Sequence, residues 1–426
     1  MSNKQKYAPD KPRLRELSSR KLPPAIVLGL SSGGVAAVRS LAKRGIGVVA
    51  LSYDQQPGNH TRCADVFSCP HPTRETDEFI GFLNDLCEEL SQPSPVIISE
   101  DAYVEAILNT PRKLSNNMIL PFSRDSRGIT NKVLQVEAGI RAGVGVPTTG
   151  AVTGRTADSA GLGRLLPAIV KGKQADSSRQ KGMPKTIFCN SIEELDEALR
   201  LVREYGAEAI VQNAIPGPVS ALASACVFID PKGRLVGAFS MRKLRAFPGG
   251  VGTYVKSEAI PSLIEATVSL CRELRYWGMA EVEYKWDSSD SKWKMIELNP
   301  RLWEQTALAT ASGVDFPYII YQSARGVRES SVKFKEGIYW QDFFEDLYLA
   351  RKTGQKTARV LGDFLSVAVR PHLVLADPHP ALNRLFGRVN GFLRYRTGIH
   401  FTPQSKSNRQ MRPPRHSANQ ASFKKG

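Results

Sequence analysis

The residues best equipped for chemistry fall in one stretch, GMAEVEYKWDSSDSKWKMIELNPRLW, residues 278–303. Strand-forming runs at Ala280–Trp286 and Trp293–Asn299 flank the polar turn Asp287–Lys292, which predicts a hairpin. Symmetry about Asp290 sets Glu283 opposite Glu297 and Glu281 opposite Asn299. Strand residues two apart share a face, so all four side chains project to one side. Opposed residues have Cβ atoms ~4.5–5.5 Å apart, and like charges held so are destabilising. A hard divalent cation between the carboxylates removes that cost. Two carboxylates and an amide oxygen suit a Mg²⁺ that phosphate oxygens also hold. An acidic solvent face on an ordinary hairpin is the competing reading, and spacing alone does not separate the two.

Around this hairpin the chain reads as an α/β region followed by an α+β region. After Pro23-Pro24, the apolar run Ala25–Leu30, the turn Ser31-Ser32-Gly33-Gly34, a helical pattern through Val35–Lys43 and the strand Val48–Tyr53 form a βαβ unit. A helix at Phe79–Leu90 and a strand at Val96–Ser99 complete a small open α/β domain over residues 23–122. The SSGG turn lacks the GxGxxG spacing of a dinucleotide site and reads as a plain tight turn. From Pro121 onward the pattern gives a helix at Lys132–Gly143, a strand at Leu166–Lys171 and a polar loop over 172–184. Ser191–Tyr205 is a helix opened by a capping box, Ser191 with Glu194. Strands follow at Ala209–Gln212, Ala221–Ile229 and Leu235–Ser240. Strand runs mixed with helices indicate α+β. Residues 329–401 read as a helical, amphipathic C-terminal segment.

Composition narrows the class. At 426 residues and 42% hydrophobic, the chain has material for two or three domains and a real core. No apolar run approaches the ~18–20 residues of a membrane span, and the charged N-terminus lacks the apolar segment of a secretory signal. Six cysteines without a CxxC pair read as reduced thiols in a cytoplasmic protein, and the six histidines show no metal-ligand spacing. Of the net charge of +17, residues 1–24 supply +5 and residues 402–426 supply +6. The ends, 1–22 and 402–426, are therefore expected to be disordered basic tails. They imply weak electrostatic attachment to a membrane or polymer at most, and no specific nucleic acid.

The residue order then becomes specific. Glu297-Leu298-Asn299-Pro300-Arg301, preceded by Val282-Glu283-Tyr284 and the turn, resembles the metal-binding signature of the ATP-grasp superfamily. Thr130-Asn131-Lys132 with Gly143 to Thr148 resembles its opening segment, with Asn131 where Asp is usual. Pro167–Lys171 resembles the strand of the second nucleotide lysine, Val211–Gly217 the strand that holds adenine, and Ser240–Arg245 the basic strand near the reacting carboxylate. The resemblance spans about residues 25–330 and is nearest to the carbamoyl-phosphate-synthase-like, carboxylate–amine ligase branch.

The resemblance implies a pre-ATP-grasp domain at 23–122, an ATP-grasp domain at 123–328, and ATP with Mg²⁺ or Mn²⁺. Lys132 and Lys171 would neutralise phosphates, Gln212 would meet the adenine edge, and Asn213 or Ala214 would offer backbone groups. Glu283, Glu297 and Asn299 would hold the metal, with Glu281 a rival if the register slips by two. Arg301 would clamp the substrate carboxylate or acyl phosphate, and Arg242 and Arg245 would stabilise the transferring phosphoryl group. For each, an ordinary structural lysine, glutamine or ion-paired arginine is the competing reading. The loop at 172–185 has only two glycines, so Ser177, Ser178, Lys181 or Lys185 would supplement backbone contacts to phosphate. The expected reaction joins a small-molecule carboxylate to an amine through an acyl phosphate, releasing ADP. A nucleotide-binding regulatory or membrane- or polymer-associated protein without turnover is the alternative.

Overall fold

The computed structural model describes Tyr7 and residues 10–152, 159–174, 178, 181–328, 330, 332–371 and 373–385. Its first helix, α1 (Lys11–Ser18), lies where a disordered basic tail was expected. Asp10 caps it by accepting from the Arg13 N–H, and Leu14 and Leu17, one turn apart, are fully buried beside the next domain helix. Two leucines among charged residues suffice to dock a short helix, which corrects the expectation for residues 11–18.

β1 (Ala25–Leu28), α2 (Ser32–Ala42), β2 (Val48–Ser52), β3 (Asp65–Ser68), α3 (Thr76–Leu90), β4 (Ser94–Ile98), α4 (Asp101–Asn109) and β5 (Met118–Ile119) build a parallel sheet of order β3-β2-β1-β4-β5. Every residue of β1, β2 and β4 is buried, as expected of strands covered by helices on both faces. In the SSGG turn a Cβ on Gly34 would lie 2.0 Å from the Gly29 carbonyl oxygen, and one on Gly33 would lie 2.5 Å from that of Trp303. These glycines allow close backbone packing, and they form the first turn of α2 where a plain tight turn was expected.

α5 (Lys132–Arg141), β6 (Thr149–Val152), α6 (Ser159–Leu162), β7 (Ala168–Gly172), β8 (Ile187–Cys189), α7 (Ile192–Glu204) and β9 (Ala209–Asn213) follow. Their strands form a four-stranded antiparallel sheet, order β6-β9-β7-β8, with a small core of its own against α7. β10 (Leu222–Ile229), β11 (Leu235–Ala246), β12 (Gly252–Ser257), α8 (Pro261–Glu273), β13 (Gly278–Asp287), β14 (Lys292–Asn299), α9 (Thr306–Ser312) and α10 (Phe316–Ala324) come next. The C-terminal segment, expected to be helical, first contributes a strand, β15 (Tyr339–Gln341), before α11 (Phe343–Lys352) and α12 (Thr357–Ser366). β15 pairs antiparallel with β12 and closes one edge of a six-stranded sheet, order β14-β13-β10-β11-β12-β15. Three residues are too few for alternation to declare them. Residues 386–401 and the tail 402–426 lie outside the described residues.

The described residues up to Asn383 pack as one unit. One core runs from the parallel sheet and α3 to one face of the six-stranded sheet, and a second joins the other faces through α2, α9 and α10. All six cysteines are free. No described helix is long and apolar enough to cross a membrane.

Candidate active site

The hairpin is formed in the expected register where it counts: Glu281 pairs with Asn299, Val282 with Leu298 and Glu283 with Glu297. Immediately beyond, the register shifts so that Tyr284 pairs with Met295, leaving Ile296 as an extra residue. Such a bulge locally re-aims side chains. β14 is an edge strand, and its free backbone groups are held from α5. Gln135 accepts from the Leu298 N–H (3.0 Å) and donates to the Leu298 carbonyl (2.9 Å). Farther along, Met295 N–H donates to the Gly145 carbonyl (2.8 Å). The carboxylate-bearing edge is thereby fixed to the segment that carries Lys132.

Each of the opposed carboxylates has its own lysine. Lys132 Nζ lies 2.9 Å from Glu297 Oε1 and Lys243 Nζ 2.7 Å from Glu283 Oε2. Burial alone would raise the Glu297 pKa, but Lys132, Lys185 and Lys171 draw it down to about 2. Glu281 is deeper; burial, then the Glu283 charge, pushes its pKa up, and Asn299 Nδ2 donates to its Oε2 (3.3 Å). The register has not slipped, so Glu283 rather than Glu281 faces Glu297. Lys132 opens α5 behind Asn131, whose side-chain oxygen accepts from the Val133 N–H (3.0 Å). Asn131 thus serves as a helix cap, a role an aspartate would fill equally.

Lys171 on β7 is buried, and burial lowers its pKa to about 8 against the pull of Glu297. Its Nζ donates to Gln212 Oε1 (3.3 Å), and Gln212 Nε2 donates to Thr149 Oγ1 (3.1 Å), so the glutamine side chain is engaged within the protein. The Ala214 N–H donates to the Pro167 carbonyl (2.6 Å) and the Asn213 N–H to that of Thr148 (3.1 Å). The β9 donors named in the sequence are therefore occupied in this state. In the loop at 172–185, Lys185 lies within electrostatic reach of Glu297 and Lys171, whereas Lys181 donates to the Gly206 carbonyl (2.6 Å). Ser178 is buried, and Ser177 lies outside the described residues.

β11 corrects the sequence reading. Arg242 pairs in register with Ala223, which pairs with Tyr284, so it projects from the face opposite Glu283. There it binds Glu258 (2.7 and 2.8 Å) and lies over Trp293. A register shift between Lys243 and Arg245 keeps Arg245 on that same face, against Tyr254. Arg245 grips Asp346 through two nitrogens (2.8 and 2.6 Å) and Asp363 through a third (2.7 Å). Neither arginine joins the carboxylates. The missed cation is Lys243, 2% exposed, which donates to Glu283 and to the Gly250 carbonyl (2.7 Å each). Its signal was present: Phe239, Met241 and Lys243 share one phase, and the first two are buried apolar residues. Gly250, at φ +94°, lets the loop between β11 and β12 lie against Glu283; a Cβ there would stand 3.3 Å from its Oε2.

Arg301 is brought to the cluster, but its fork is spent. Nε and Nη2 bind the two oxygens of Asp101 (2.6 and 3.1 Å), Nη2 also reaches Asn299 Oδ1 (3.3 Å), and Nη1 donates to the Leu302 carbonyl (3.1 Å). Asp101 opens α4 of the parallel sheet, so the first domain orients this guanidinium. Residues 246–255 and 302–315 are tied together by Gln305 Nε2, which donates to the Gly252 carbonyl (3.0 Å).

The residues fit a nucleotide-bound Mg²⁺. Among the described residues no group of three or more His, Cys, Asp or Glu side chains is set to hold a metal unaided. Two carboxylates and an amide, ringed by lysines, suit a hard cation that brings phosphate oxygens with it. The buried Ser224 hydroxyl lies in register beside Glu283 on the same sheet.

Comparison with known proteins bears on the fold. Residues 252–330 match the family described as carbamoyl-phosphate synthase L chain, ATP binding domain. An N5-carboxyaminoimidazole synthetase from Staphylococcus aureus superposes with a TM-score of 0.58 at 14% identity, covering 78% of this chain and 86% of that one. The chain has the ATP-grasp fold. Its fold is shared with the biotin carboxylase domain of 2-oxoglutarate carboxylase from Hydrogenobacter thermophilus, solved with MgADP and bicarbonate (TM-score 0.57, 16% identity, 75% and 74% coverage). An L-amino acid ligase from Bacillus licheniformis also shares it (0.52, 12%, 72% and 75%). No curated protein sequence matches significantly.

Proposed function

We propose that this ATP-grasp protein activates a small-molecule carboxylate as an acyl phosphate and couples it to an amine, releasing ADP and phosphate. The observation that carries the reading is the opposed pair Glu283 and Glu297, each balanced by its own lysine and backed by the buried Lys171. Glu283, Glu297 and Asn299 would hold Mg²⁺, which bound with the nucleotide would withdraw charge from the transferring phosphoryl group. Lys132 and Lys171 would turn from Glu297 and Gln212 to phosphate oxygens, and Lys185 would close over them. Lys243 replaces Arg242 and Arg245 as the cation that steadies the phosphoryl group. Gln212, with the backbone of Asn213 and Ala214, would border the adenine.

Arg301 would meet the substrate carboxylate at its Nη1 edge or by displacing Asp101. The attacking carboxylate needs no general base, so the site requires no histidine. The test is a screen of carboxylates, each paired with a panel of amines, for ADP and phosphate release in magnesium. Release that requires both members of one pair supports the reading. ATP hydrolysis indifferent to every pair, or no nucleotide binding, contradicts it.

A further inference from the structure

α12 is mounted with its apolar stripe outward. Ala358, Leu361, Gly362 and Leu365 follow helical spacing and are all exposed, Leu361 by 50% and Leu365 by 73%. The inward face instead carries Val360, Asp363 and Phe364; Asp363 is drawn to Arg245 and Phe364 packs on Phe343. Gly362 has no atom within 4 Å of where a Cβ would stand, so nothing in the described chain covers the stripe. At its end Arg370 bonds back to the Phe364 and Leu365 carbonyls, and Leu373 and Leu375 just beyond are again exposed, Leu375 completely.

Exposed cations stand on the same two-helix segment. Arg351 and Lys352 at the end of α11, Lys356 before α12 and Arg359 within it are exposed, and none has an ion-pair partner among the described residues. The neighbouring carboxylates Asp346 and Asp363 are turned inward to Arg245. Tyr348, half exposed on α11, is a side chain suited to a boundary between water and an apolar phase.

We propose that this face docks the protein on an anionic lipid surface, with Leu361 and Leu365 inserted among acyl chains and the four cations at the headgroups. An amphipathic helix lying in the interface combines these two features. A second copy of the chain would set the same cations against each other across a two-fold axis. A nucleic-acid backbone would leave the leucines in water. The attachment is independent of the ligase chemistry and would determine where it occurs.

The test is sedimentation of the full-length protein with vesicles of phosphatidylcholine, alone or mixed with phosphatidylserine, at low and high salt. Wild type is expected to bind the mixed vesicles and to lose much of that binding at high salt. Leu361→Ser with Leu365→Ser is expected to lower partitioning by about tenfold or more. Lys356→Glu with Arg359→Glu is expected to lower it at low salt. All four positions are exposed, so both variants should melt near wild type. Binding untouched by the leucine substitutions, which would place attachment elsewhere in the basic chain, overturns the proposal. So does equal binding to neutral vesicles, no vesicle binding, or a self-association that the leucine substitutions abolish.

Discussion

On the β13–β14 hairpin the charged residues that matter, Glu283 and Glu297, face one another in register, and their neighbour Glu281 shares their side. On β11, three cations within four residues divide between the two faces of the sheet. Lys243 reaches Glu283, while Arg242 and Arg245 turn away to Glu258, Asp346 and Asp363. A hairpin carries its own ruler, because a short turn fixes which residues oppose. An isolated basic strand has none, and a register shift between Lys243 and Arg245 upsets counting by twos. Charge density identified the strand; phase separates the cation beside the opposed carboxylates from the two that face away.

The largest expected effect tests the far face of β11. Arg245→Met removes the main cation from Asp346, which is fully buried, and should cost about 3–5 kcal/mol of stability. Turnover per folded molecule should be little changed. Chemical denaturation beside ADP release separates the two, and lost turnover at unchanged stability would return Arg245 to the reaction. On the near face, Lys243→Met should lower ADP formation by about 10²–10³, as loss of one preorganised charge-stabilising donor does. Arg242→Met should lower it by less than about threefold, a surface-pair effect. Equal losses would erase the distinction between the faces.

Arg301→Lys comes next, because a lysine cannot hold Asp101 with two nitrogens and also serve a substrate. Loss of one charge-assisted contact, roughly 1.5–3 kcal/mol, corresponds to about 10- to 150-fold in carboxylate-dependent rate. ATP affinity should stay near wild type; the opposite pattern would assign Arg301 to the nucleotide. The smallest effect concerns pH. Lys171 deprotonates near 8 in the folded chain, below its ordinary 10.5. The unfolded chain holds the extra proton between those values, so this group's contribution to stability rises with pH across that window. Phosphate favours the charged lysine, so ATP affinity should fall as pH climbs above about 8, by at most ~1.4 kcal/mol per unit. Calorimetry at several pH values checks this, and an affinity flat from pH 7 to 9 would place Lys171 away from phosphate.

Much of the architecture was legible because it rests on local pattern. The buried runs of β1, β2 and β4 read directly as a parallel sheet, and the hairpin register followed from its turn. What was not legible depends on distant partners. α1 is held by Leu14 and Leu17 against α3, which only the fold brings near. β15 is three residues whose strand character comes from pairing with β12. The Arg301 fork was expected to be free, but Asp101 reaches it across 200 positions of sequence. Gln212 likewise bonds Lys171 in a way spacing could not show.

The central claim is that the opposed carboxylates, not the basic residues alone, make the reaction possible. Glu297→Gln tests it most directly, since it keeps shape and hydrogen bonding and removes one charge. With saturating magnesium and a substrate pair found by the release screen, the variant should fold with an unchanged circular dichroism spectrum. It should form ADP about a thousandfold more slowly, a loss of roughly 4 kcal/mol of transition-state stabilisation. A folded Glu297→Gln protein that turns over near the wild-type rate would contradict the account.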